Sequence, residues 1–185
     1  MDIKKRHQTS KYQAEITWQR QQQELFVDSK YSRAHQWKFD GGVSVPASSA
    51  VSSVPLPFSK PENVDPEEAL VAAISSCHML TFLYLAAKSR FVVESYADLA
   101  VGTMETDSRG RLSITAVTLA PAILFSGVNA PTEEAIHRLH EEAHEECYIA
   151  NSVRAEITVA GTWRFQPANE HAVPTTPRST DSAPK

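Results

Sequence analysis

The chain has only two cysteines in 185 residues, no surplus of positive charge and a single long apolar run. Each scarcity excludes something. Two cysteines cannot staple a disulfide-rich secreted module, and at this length roughly 70% of the unfolded surface can be buried without such staples. Eighteen Lys and Arg stand against 22 Asp and Glu, a formal net charge of -4. Phosphate recognition rests on a basic face, so nucleic acid is not expected as the main partner. Met1 to Lys11 are polar and basic, with none of the apolar core of a signal peptide. A cytoplasmic location is the expectation, and with it a reducing setting for both thiols.

The apolar run covers Ala69 to Ala87, 19 positions without Asp, Glu, Lys or Arg. That is near the lower limit for a membrane-spanning helix. Ser75, Ser76, Cys77, His78 and Thr81 put a polar patch at its centre. A helix apolar all round equally serves as the central helix of a soluble core. The buried helix is expected, and no membrane.

Its boundaries are the best marked in the chain. Asp65 suits the N-cap, Pro66 the first helical position, and Glu68, three residues on, completes a capping box. The helix is expected to end near Lys88. A second helix should open at Pro131 and Thr132, with Ile136, Leu139, Ala143 and Cys147 on one face. Tyr12 to Trp18 alternates as a half-buried strand, Glu24 to Val27 reads as a short strand or arm, and His35 to Phe39 as another strand. Val43 to Val64 holds six Ser and four Pro and reads as a long irregular connection. Phe91 to Glu105 and Leu112 to Phe125 flank the turn cluster Asp107-Ser-Arg-Gly110 as a long hairpin, and Ala155 to Trp163 is a last strand. The class is α+β with a mainly antiparallel sheet. Residues 1–11 are expected to be a flexible arm, 12–165 a single domain, and 166–185 a disordered proline-rich tail.

A cysteine inside a buried helix is ordinarily a small hydrophobe. Here Cys77 and Cys147 fall one on each of the two helices with an apolar stripe, which places them to meet. Meeting thiols in a reducing compartment point to redox chemistry or metal more than to a static bridge. His140, His144 and Cys147 lie four and three apart and would make a zinc-type set with Cys77. Against that, three successive helical turns spread ligands over about 10 Å. His137, His140 and His144 also fit a solvated helix among Glu141, Glu142, Glu145 and Glu146, so no metal is expected. His78 follows Cys77 directly and points about 100° away on a helix. No nucleophile elbow surrounds Cys77, so protease-like catalysis is not expected even with His35 as base. Thiol redox chemistry needs a thiolate, a cation to stabilise it and a second thiol to resolve a sulfenic acid. Cys77 is too far from its helix start to borrow the dipole, so a cation must come from elsewhere. Arg33 borders a strand and precedes a long loop that could fold over the helix, which makes it the candidate, the alternative being a plain surface arginine.

These residues resemble a known family. Asp65-Pro-Glu-Glu-Ala-Leu-Val-Ala-Ala-Ile-Ser-Ser-Cys77-His-Met-Leu and Ala143-His-Glu-Glu-Cys147-Tyr-Ile-Ala-Asn-Ser152 are similar to the two cysteine motifs of the OsmC/Ohr family. Tyr31-Ser-Arg-Ala-His-Gln-Trp-Lys-Phe-Asp-Gly-Gly42 resembles the arginine segment of its OsmC-like branch. The likeness runs from about Tyr12 to Trp163. It implies an intertwined α+β homodimer, its cysteine-bearing helix central, that reduces organic hydroperoxides with thiols. By position Cys77 would be the peroxidatic cysteine, Cys147 the resolving one and Arg33 the thiolate's cation, with Glu67 holding Arg33. No flavin, haem or metal cofactor is implied, and the reductant would be a small dithiol or a lipoylated protein.

Glu67 and Cys77 lie ten residues apart on one helix, about 15 Å along its axis. An arginine touching both at about 3 Å cannot comfortably span that gap. The combination therefore expects Glu67 of the partner subunit, on an antiparallel helix. Ala69, Ala72, Ala73, Ser75 and Ser76 are small enough for two such helices to approach. Phe39, Met79, Leu80 and Phe82 would line an apolar mouth for alkyl or fatty-acid hydroperoxides, though each is also a plain core type. His35 and His78 mark the OsmC-like branch, whose substrates are less defined than those of Ohr enzymes. The alternative is a non-catalytic dimer of the same fold that binds a small apolar ligand or senses stress.

Overall fold

Asp65 and Glu68 cap each other reciprocally. The Asp65 carboxylate accepts the Glu68 amide at 2.8 Å, and the Glu68 carboxylate accepts the Asp65 amide at 3.2 Å. Two of the donors that a helix start leaves unpaired are thereby satisfied. Helix α1 then runs unbroken over Pro66–Lys88, acidic in its first turn and basic in its last, as the helix dipole favours. It stops in a Schellman motif, with Phe91 donating to the Ala86 carbonyl and Arg90 to that of Ala87. Arg90 holds the left-handed position, φ 60°, that usually falls to glycine.

The structure is a computed structural model and describes residues 9–167. Around α1 come β1 (Ala14–Thr17), β2 (His35–Phe39), β3 (Ser44–Ala47), β4 (Val92–Asp98), β5 (Val101–Thr106), β6 (Leu112–Leu119) and β7 (Pro121–Gly127). Helix α2 (Glu133–Glu146), a 3-10 turn (Ala150–Ser152), β8 (Glu156–Val159) and β9 (Thr162–Pro167) complete the order. Contacts divide the described residues into two compact units, 9–74 with 102–116, and 75–101 with 117–167. α1, β5 (by its first residue) and β6 pass from one unit into the other.

In the first unit β1, β2 and β3 form an antiparallel sheet, with Ile16 opposite Trp37 and Trp37 opposite Val45. β5 and β6 meet around a turn in which the Asp107 carboxylate accepts the amides of Arg109 and Arg111. The alternation in β1 leads one to expect a half-buried strand, yet all four of its residues are exposed and Ile16 is 58% accessible. Pairing follows the pattern, but the apolar face of β1 stands open in the single chain.

In the second unit β4, β7 and β9 form a sheet in which β4 and β7 are antiparallel and β7 and β9 parallel. Phe82, Leu85 and Ala86 of α1 pack with Ile123 and Phe125 of β7 and with Ile136, Leu139 and Ala143 of α2. These residues recur every three or four positions in the helices and every second in the strand, so each element gives one face to the core. α1 has the length and composition of a membrane span. From Ser75 onward, however, it buries His78, Phe82, Leu85 and Ala86 inside this unit.

Several elements depart from the sequence expectation. The long hairpin is cut into four strands, with β4 against β7 outside and β5 against β6 inside. The cut in its second arm falls at Ala120, whose amide donates to the Asp98 carboxylate at 2.7 Å. Ala155–Trp163 likewise becomes two strands. They part at Gly161, where a Cβ would lie 2.7 Å from both the carbonyl oxygen and the Cγ of Pro121. Glu24 to Val27 is turn and not strand, with Phe26 at φ 61°. Ser44–Ala47 is a strand inside the stretch expected to be irregular. β9 runs two residues into the expected tail, pairing Gln166 with Ser126 and Pro167 with Gly127. Residues 1–8 of the arm and 168–185 of the tail lie outside the described residues.

Candidate thiol site

Helix α2 begins at Thr132, whose hydroxyl accepts the Ala135 amide at 3.2 Å. Its buried residues, Ile136, Leu139 and Ala143, lead by steps of three and four to Cys147, which caps its C-terminus and is wholly buried. The chain turns sharply there. The Cys147 amide donates to the His144 carbonyl at 3.3 Å, its carbonyl accepts the Asn151 amide at 3.0 Å, and its Sγ accepts the Ala150 amide at 3.3 Å. This turn leaves the thiol little freedom.

Cys77 is half-buried on α1, on the helical position just before the buried His78. Both cysteines are free thiols, and Cys77 lies near enough to Cys147 to bear on its titration. Burial pushes the Cys147 thiol up to about 11; the Cys77 contact adds to this, and the Ala150 amide opposes it. Cys147 is therefore a protonated, sheltered thiol at neutral pH, held against a more accessible one.

Two histidines beside the pair form a contact that sequence reasoning missed. His78 Nε2 lies 3.0 Å from His140 Nδ1, with the two ring planes 8° apart. His78 is 1% exposed, and the Phe82 ring backs His140 at a centroid distance of 4.5 Å. Both imidazoles are pushed down to about 4, chiefly by burial, so both are neutral near pH 7. His144 adds to the effect on His78, His137 to that on His140, and Asp98 opposes it for both. The signal lay in spacing: His78 shares the 3.6-residue stripe of Phe82 and Leu85.

His140 also borders a cavity of 410 Å³ in the same unit. The helix wall of that cavity carries His137, Glu141 and His144, and the facing strands offer Ile157, Val159 and Trp163. Among the described residues no group of three or more His, Cys, Asp or Glu is arranged to hold a metal ion. Of the zinc-type set, His140 engages His78 and Cys147 lies near Cys77.

Arg33 and Glu67 belong to the first unit. The Arg33 guanidinium donates to the carbonyls of Ser29 and Tyr31 and lies over the Tyr31 ring at 3.6 Å. Its backbone is held on both sides. The Arg33 amide donates to the Phe58 carbonyl at 2.7 Å, and its own carbonyl meets His35 Nδ1 at 2.8 Å. Trp37 Nε1 donates to His35 Nε2 at 2.9 Å, which leaves the His35 proton on Nδ1, facing the Arg33 carbonyl. Glu67 is half-buried in the first turn of α1.

Of the four residues expected at a substrate mouth, Phe39 and Leu80 are 41% and 62% exposed and Met79 is half-buried. Phe82 is completely buried in the core cluster, against Phe125 and Tyr96. It presents no face to a solvent-borne molecule and is a packing residue.

An α+β fold whose two main helices bring a sheltered thiol against an accessible one defines the class: a dithiol protein built round a central cysteine helix. More narrowly, the chain belongs to the OsmC-like protein family, whose model matches residues 59–160 and so includes both cysteines. It is similar to an OsmC-like protein of unknown function from Vibrio cholerae, at 50% identity and a TM-score of 0.82, over 83% of this chain and 100% of that one. An organic hydroperoxide resistance protein from Elizabethkingia anophelis shares the fold at 18% identity and a TM-score of 0.61, over 87% and 100% of the two chains. The organic hydroperoxide resistance protein OhrB of Bacillus subtilis does so at 18% identity and 0.53, over 83% and 98%. No curated protein matches the chain.

Proposed function

We propose that the protein is a thiol-dependent peroxidase that reduces organic hydroperoxides to alcohols. The observation that carries this reading is the nearness of the half-buried Cys77 thiol to the buried, high-pKa Cys147 thiol. Two family relatives of the same fold are named for organic hydroperoxide resistance.

The Cys77 thiolate attacks the terminal oxygen of ROOH. The O–O bond breaks, Cys77 becomes a sulfenic acid, and the leaving alkoxide takes a proton to become ROH. Cys147 then attacks that sulfur, its thiol proton leaves with the hydroxyl as water, and a Cys77–Cys147 disulfide closes. A small dithiol or lipoylated protein returns the disulfide to two thiols and is itself oxidised. Arg33 is assigned to the Cys77 thiolate, and Glu67 of the partner subunit to Arg33. Residues 12–165 act as one domain, in a cytoplasmic homodimer.

Support for the dimer comes from two apolar surfaces of the single chain. Ile16 of β1 is open, and Ala72, Ala73, Ser76 and Leu80 form an exposed stripe of small and apolar side chains along α1. The protein should consume cumene hydroperoxide with dithiothreitol as reductant, faster than hydrogen peroxide, and Cys77→Ser should abolish turnover. Turnover that survives Cys77→Ser would refute the assignment.

A further inference from the structure

One hydrogen bond and one pair of neighbouring thiols join the same two helices in the second unit. On α1 they use adjacent positions, Cys77 and His78. On α2 they use His140, inside the helix, and Cys147, seven residues later at its end. The contact points are thus about 1.5 Å apart along one axis and about 10 Å along the other. Such a pattern requires α1 to cross α2, with the thiol contact lying to one side of the crossing.

We propose that the His78–His140 hydrogen bond is a positioning device that fixes how α1 crosses α2 and thereby holds the Cys147 thiol at Cys77. A purely apolar contact at this depth would fill the space without setting the register. Two neutral imidazoles offer one donor to one acceptor, and the bond forms in a single arrangement of the helices. Burying both rings costs desolvation, which the observed bond offsets only while that arrangement holds. Phe82, stacked on His140 from α1, confines the ring further. The cysteines then need only small motions to bond, because the turn after α2 already fixes the Cys147 sulfur.

The proposal deepens the peroxidase reading, since a sulfenic acid on Cys77 is resolved only when the second thiol is in reach. Its test uses glutathione and not peroxide, so that the two can fail separately. In glutathione redox buffers, the equilibrium between the dithiol and the Cys77–Cys147 disulfide measures the effective concentration of one thiol at the other. His140→Leu should lower that concentration about tenfold. His140→Gln, which keeps a hydrogen-bonding group for His78, should recover it to within about threefold of wild type. Leu139→Ala opens a cavity in the same helix contact without touching the pair, and should change it less than about twofold at a similar loss of thermal midpoint. The proposal is overturned if His140→Leu leaves the effective concentration at the wild-type value. It is equally overturned if Leu139→Ala lowers it as much as His140→Leu does. Wild type that closes the disulfide in glutathione but consumes no cumene hydroperoxide would refute the peroxidase reading and leave the positioning role standing.

Discussion

His78 and His140 meet at 3.0 Å as a neutral pair inside the second unit, one from each helix. Both are held near 4, below the ordinary 6.5 of histidine, so the unfolded chain binds protons that the folded one refuses. Stability is then nearly flat above about pH 7.5 and falls as the pH drops from there towards 4. For the buried His78 alone the loss between pH 7 and pH 5 is about 2 kcal/mol. Urea unfolding at the two pH values checks this. A double His78→Leu, His140→Leu variant should lose that part of the slope, and a wild-type midpoint unchanged over this interval would contradict it.

Gly161 separates β8 from β9 because the chain passes against Pro121. A Cβ there would sit 2.7 Å from the Pro121 carbonyl oxygen, a backbone atom that cannot swing aside. Gly161→Ala should cost about 1–3 kcal/mol in chemical denaturation. A variant as stable as wild type would show that this approach is not close.

Arg90 ends α1 in a left-handed conformation at φ 60° with no glycine to ease it. Arg90→Gly should raise stability by about 0.5–1 kcal/mol, the relief at the cap exceeding the added freedom of the unfolded chain. A lower thermal midpoint for the glycine variant would mean that the arginine side chain contributes more than its backbone strain costs.

Leu80 is 62% exposed on the stripe formed with Ala72, Ala73 and Ser76. If that stripe is the face shared by two subunits, light scattering should give twice the 20.4 kDa chain mass. Leu80→Glu should shift the population to monomer, since an unpaired carboxylate is costly in an apolar contact. A monomeric wild type would remove the dimer from the account, and with it the placing of Glu67 in a second subunit.

The helices were legible from the sequence because their signals are local. The Asp65–Glu68 box, the Thr132 cap and the three-and-four spacing of Ile136, Leu139 and Ala143 all act within a few residues. The strand breaks were not legible. They depend on Asp98 reaching the Ala120 amide and on Gly161 passing Pro121, relations across 22 and 40 positions that alternation does not record. The same division runs through the site. Cys77 and Cys147 could be paired because each falls on a recognisable apolar stripe. His78 and His140 could not, since taken singly the one faces away from Cys77 and the other sits beside solvated glutamates. Their partnership exists only once α1 and α2 cross.

Counting free thiols by mass spectrometry after one equivalent of cumene hydroperoxide tests the central claim most directly. Wild type should lose both thiols to a Cys77–Cys147 disulfide, and Cys147→Ser should accumulate a trappable sulfenic acid on Cys77. Two free thiols surviving excess peroxide would contradict the catalytic account and favour a ligand-binding protein of the same fold.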